Sequence, residues 1–144
     1  QFSNSAILRY SEISKEPVST ALNKLKEAKV LIIDNIGMLS SLYQYADIAY
    51  IGGGFGSGIH NILEAVAFGV PVIFGPNHHK FHEAMELVEQ GGGFSIAGQE
   101  DFQKAMNLLF SDEKILKTAS TACKNFVAQR RGATEKILCE IGIK

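Results

Sequence analysis

The residues best suited to chemistry lie in one stretch, Ile51-Gly52-Gly53-Gly54-Phe55-Gly56-Ser57-Gly58-Ile59-His60-Asn61-Ile62-Leu63-Glu64. It reads as a strand end, a glycine loop and the start of a helix over 58–68. Glycines let a backbone approach a ligand closely. A helix start behind them offers N–H donors and a partial positive charge, which suit a phosphate. On such a helix His60 and Glu64 are four apart and share a face, with Asn61 beside them. The Glu64 carboxylate can then accept from both ribose hydroxyls, and His60 or Asn61 can donate to a phosphate. An isolated His and Glu would read as a cap-region residue and a carboxylate favouring the helix dipole. The glycine cluster turns the reading toward a nucleotide.

Three common motifs fail here. The dinucleotide fingerprint G-x-G-x-x-G meets Ser57 or Ile59 where its third Gly belongs. A P-loop requires Lys after its last Gly, and Ile59 follows Gly58. A nucleophile elbow requires Gly where Phe55 stands. Two further loops follow apolar runs: Asp34-Asn35-Ile36-Gly37-Met38-Leu39 and Gly75-Pro76-Asn77-His78-His79. In an open α/β sheet, loops after strands gather on the ligand-binding edge. Asp34 reads equally as a ligand-side residue and as a helix cap. His78 and His82 have an i, i+4 spacing that can chelate zinc. There is no H-E-x-x-H frame, so a solvated loop and helix start is the expectation, with no metal. Cys123 and Cys139 read as packing residues.

Short apolar runs must position these loops: Ala6–Tyr10, Val30–Ile33, Ile48–Ile51, Val70–Phe74 and Phe94–Ile96. Helical patterns at 17–28, 37–45, 58–68 and 81–90 lie between them. From Asp101 onward the chain reads as helical, with breaks near Ser111-Asp112 and Gly132. Alternating strand and helix predicts an α/β fold: a Rossmann-like parallel sheet flanked by helices, with C-terminal helices. The 144 residues fit one domain, 1–144. Hydrophobic residues at 46% exclude a disordered chain, and 14 basic against 15 acidic residues argue against a nucleic-acid partner. Two cysteines without a paired spacing fit a reducing compartment. No apolar run approaches the ~18 residues of a membrane helix, so a soluble piece is expected. The chain begins at Gln1, without Met, and is read as a piece of a longer protein.

The sequence resembles the C-terminal half of the 3-deoxy-D-manno-octulosonic acid (Kdo) transferases of lipopolysaccharide synthesis. The residues that carry the resemblance are 34–39, 45–53, 58–64, 70–76 and Gly132-Ala133. The chain departs from the family in carrying Ile59 where a second Gly is common. The resemblance implies the donor-binding domain of a two-domain GT-B glycosyltransferase, which transfers Kdo from CMP-Kdo to a lipid A precursor. It implies no cofactor and no metal for donor binding. The carboxylate base and the acceptor site belong to an N-terminal domain, so this chain holds no catalytic residue and is expected to be inactive alone. Gly37 and Met38 would lie near the cytosine or ribose. Gly53, Gly54, Gly58, Ile59, His60 and Asn61 would lie near the phosphate, and Glu64 on the ribose. The parent would work at the cytoplasmic face of the bacterial inner membrane. Two alternatives stand: another GT-B enzyme using a UDP-sugar, and a non-enzymatic Rossmann-like interaction module. An exposed sheet edge offers a place for a second copy, a homodimer.

Overall fold

The computed structural model describes residues 7–142, the side chains of 133–136 excepted. The chain forms two compact units, Gln1–Ser41 and Leu42–Lys144. In the first, β1 (Ile7–Arg9) runs straight into a single helical turn, α1 (Tyr10–Ile13). Pro17 then stands immediately before α2 (Val18–Glu27), where its fixed φ and missing N–H cost a helix nothing. Lys24 and Lys26 occupy the last turn of α2, the end that favours positive charge. β2 (Val30–Ile32) returns parallel to β1, in the register Ile7↔Val30, Leu8↔Leu31 and Arg9↔Ile32.

The boundary between the units falls within α3 (Leu39–Leu42), which a 3-10 turn, Tyr43–Tyr45, follows. The second unit carries a three-stranded parallel sheet of β3 (Ala49–Tyr50), β4 (Val72–Phe74) and β5 (Gly93–Ser95), in that order. β4 lies between the other two strands, and Val72, Ile73 and Phe74 are all fully buried. This explains an unbroken apolar run with no polar alternation. Val72 and Phe74 face one layer, made with α4 (Leu63–Val66), α5 (His82–Glu89) and α7 (Glu113–Arg130). Ile73 faces the opposite layer, where Leu109 of α6 (Gln99–Ser111) and Ala119 of α7 pack with Ile96. Helices thus cover both faces of the sheet, as expected of a doubly covered parallel fold.

The expected breaks in the helical tail have plain causes. Asp112 accepts the Lys114 N–H at 2.8 Å and caps α7. Gly132, at φ +92°, turns the chain into α8 (Ala133–Glu140). Among the described residues, no helix is long and apolar enough to cross a membrane. Cys123 packs in the core of α7, as expected. Cys139 does not: it lies exposed on α8.

Candidate functional site

The glycine loop leaves the C-terminal end of β3 and closes on itself. Gly53 and Ile59 form an antiparallel bridge. Gly54 N–H donates to Gly58 O at 2.6 Å, and His60 N–H donates to Gly52 O at 3.0 Å. A Cβ at Gly53 would stand 2.5 Å from Gly58 O. Gly53 therefore has no room for a side chain, while the tip of the loop, Phe55-Gly56-Ser57, is exposed.

The bridge corrects the expected helix. Residues 58–62 are not helical, and α4 is a single turn that starts at Leu63. The 3.6-residue apolar spacing of Ile59, Ile62, Leu63 and Val66 points to a longer helix. Pairing Ile59 with Gly53 holds that part of the chain extended instead. His60 consequently shares no helix face with Glu64. Its ring lies beside Gly52, with Cδ2 3.2 Å from where a Gly52 Cβ would stand. Ile59 turns its side chain into the core and is 8% exposed, so it presents backbone to the loop.

Asn61 starts the helical turn. Its Oδ1 accepts the Leu63 N–H at 3.0 Å and its Nδ2 donates to Glu64 Oε1 at 3.1 Å. One amide therefore satisfies a first-turn donor and orients the carboxylate. Tyr43 packs against the same core. Burial and the Glu64 charge push its phenol above the usual tyrosine range.

The loop after β4 supports the glycine loop. Gly75 packs against Gly54: a Cβ on Gly75 would meet Gly54 C at 2.5 Å, and one on Gly54 would meet Gly75 Cα at 2.7 Å. Asn77 N–H donates to Gly54 O at 2.9 Å, and Asn77 Nδ2 donates to Gly56 O at 2.8 Å. The Phe81 ring lies against Gly58, where an added Cβ would come within 3.0 Å. The sequence puts these residues on the expected edge but gives no sign of the bonds from Asn77. Such bonds depend on β3 and β4 lying side by side.

The histidines separate. His78 is buried, against the expectation of a solvated loop. Its ring meets Phe74 edge-on at 5.2 Å, and its Nδ1 lies 3.3 Å from Ser95 Oγ. His79 and His82 are exposed, and His82 Nδ1 lies 3.5 Å from Glu86 Oε2. No group of three or more potential metal ligands occurs among the described residues.

Gly37 and Met38 lie in the first unit, where Gly37 is exposed at φ +95°. Asp34, in the same loop, is a cap for α1 rather than for the helix that follows it in sequence. Its carboxylate accepts the Ser11 N–H at 2.9 Å and the Ser11 hydroxyl at 2.6 Å. Those two bonds, with Arg9 at 3.7 Å, hold the carboxyl below the usual aspartate range.

No protein-family model matches the chain. Curated relatives do. A 3-deoxy-D-manno-octulosonic acid transferase of Aquifex aeolicus is 37% identical over 93 residues, covering 63% of this chain and 26% of the relative. A probable mitochondrial enzyme of the same name from Arabidopsis thaliana is 31% identical over 125 residues, covering 79% of this chain and 28% of the relative. The one from Chlamydophila psittaci is 42% identical over 89 residues, covering 56% and 20%. The chain thus spans about a quarter of the length of these relatives. Among solved structures, the C-terminal CMP-Kdo binding domain of WaaA from Acinetobacter baumannii superposes with a TM-score of 0.60. It is 19% identical, with 85% of this chain and 61% of that chain covered. The chain is a homologue of the Kdo transferases and shares the α/β fold of that C-terminal domain.

Proposed function

We propose that this homologue of the Kdo transferases is their donor-holding part, taking CMP-Kdo for transfer to a lipid A precursor. The observation that carries the reading is the closed glycine loop at the sheet's C-terminal edge, followed at once by the Asn61–Glu64 pair. The names of the relatives and of the structural neighbour supply the sugar and the nucleotide.

In this reading Gly53, Gly54, Gly58 and Ile59 offer backbone to the donor phosphate, with His60 and Asn61 beside it. Glycine backbone can approach an anion without a side chain in the way. Glu64 takes the ribose hydroxyls. A carboxylate accepts along about four lone-pair directions. Gly37 and Met38 are proposed for the cytosine or ribose. The chain would hold and orient the donor and ease departure of the CMP phosphate. The base that takes the acceptor's proton, and the acceptor groove, would lie in a separate N-terminal domain. The whole, 1–144, is proposed as one donor domain, and the parent as an enzyme of the cytoplasmic face of the inner membrane. Pairing of sheet edges between two copies is part of the same proposal, and sedimentation equilibrium reads it directly.

A protein-observed NMR titration with CMP, UMP and UDP tests the donor. Shifts at Gly37 and at Gly53 to Glu64 that are strongest with CMP uphold the reading. Stronger shifts with UDP at those residues transfer it to a UDP-sugar enzyme. The absence of any response, together with a tight homodimer, supports an interaction module.

A further inference from the structure

Asn77 lies outside the glycine loop yet makes two bonds to it. Its backbone N–H reaches Gly54 O and its side-chain amide reaches Gly56 O. The side-chain bond spans the loop tip, where Gly56 has nothing within 4 Å of an added Cβ. The throat is closed by bonds between Gly54 and Gly58 and between His60 and Gly52, and its Gly54 is held further by the Asn77 N–H and by close contact with Gly75. The tip is tied at Gly56 by the Asn77 amide.

We infer that Asn77 is a positioning residue for the donor phosphate, acting by fixing the tip of the glycine loop from the neighbouring β4 loop. The inference rests on the donor-binding reading above. Asn77 is exposed and its side chain is not among the core residues, so removing the amide leaves the packing intact. What is lost is one hydrogen bond to a backbone carbonyl of the loop. A bond of that kind corresponds to about a three- to tenfold change in an equilibrium constant.

Titration calorimetry with CMP and with cytidine, on the 144-residue chain and on Asn77→Ala, tests it. Cytidine carries the base and ribose without the phosphate. The expected result is that Asn77→Ala binds CMP about three- to tenfold more weakly while cytidine affinity and the thermal midpoint hold. Amide hydrogen exchange at Gly56 and Ser57 should quicken in the same variant. Asn77→Ser, which keeps a shorter donor, should fall between the two, and it takes over the test if Asn77→Ala does not fold. Equal losses for CMP and cytidine, or a loss that tracks unfolding, overturn the inference, as does unchanged CMP affinity. If the parent chain binds neither CMP nor cytidine, the donor reading fails on its own. Positioning toward a phosphate then falls with it, and exchange at the tip still decides whether Asn77 holds the loop.

Discussion

Gly54 and Gly75 pack backbone against backbone, so closely that a methyl group on either would stand within 2.8 Å of the other's main chain. They belong to loops that follow adjacent parallel strands, β3 and β4. Their contact makes the two loops one surface.

That contact predicts a sharp contrast among glycines. Gly75→Ala meets backbone on every near side, and Gly54→Ala adds the strain of φ +83°. Each should cost about 1–3 kcal/mol in denaturant unfolding, as overpacked sites do. Gly56→Ala, with open space around it, should stay within about 0.5 kcal/mol of the parent.

Glu64 is predicted to recognise ribose. In Glu64→Gln the Asn61 amide still finds a carbonyl oxygen, so the local turn survives. Charge-assisted bonds to hydroxyls are lost, and CMP should bind about tenfold more weakly. The parent should prefer CMP over 2′-deoxy-CMP by calorimetry, and the variant should lose much of that preference.

The Asp34 cap should give the stability of the first unit an acid limb. Its pKa in the folded chain lies below the ordinary 3.8, because Ser11 donates twice to it and Arg9 stands near. A depressed carboxyl contributes stability that is fully present above the unfolded value and is lost as pH falls through the folded one. Unfolding followed against pH should show the parent ahead of Asp34→Asn above about pH 5, with the gap closing below about pH 4.

The two thiols should differ in reactivity. Burial pushes the Cys123 thiol up to about 12, and its Sγ lies 3.5 Å from Val70 O. At about pH 8 it is protonated and enclosed, whereas Cys139 is exposed. A thiol reagent should label Cys139 alone in the native chain, as read by mass spectrometry, and both cysteines in denaturant. Labelling of native Cys123 at a similar rate would contradict the packing.

Much of this arrangement is legible in the residues. Val72-Ile73-Phe74 announces a strand buried on both sides, Pro17 announces the start of α2, and Asp112 announces the break before α7. The start of α4 is not legible, because Ile59 is apolar for a reason unrelated to helix periodicity. It fills the core from an extended segment, so its spacing to Ile62 and Val66 imitates a helix. His78 misleads in the same way. Its burial needs Phe74 and Ser95 to meet it, and they come from two different strands. The residues proposed to touch the donor were readable as a glycine-rich stretch with a nearby carboxylate. The support from Asn77 and Phe81 is a product of strand adjacency, which local pattern does not carry.

The supports of the glycine loop are made after it. Phe81 is added to the growing chain roughly one to five seconds after Gly58, at ordinary rates of synthesis. During that interval the segment is a run of the most flexible residue type, with no defined grip on anything. The anion site proposed here would therefore be completed late in biogenesis, when β4 docks beside β3. A synthetic peptide spanning residues 49–66, which has the glycines but not their neighbours, should accordingly be inert toward nucleotides.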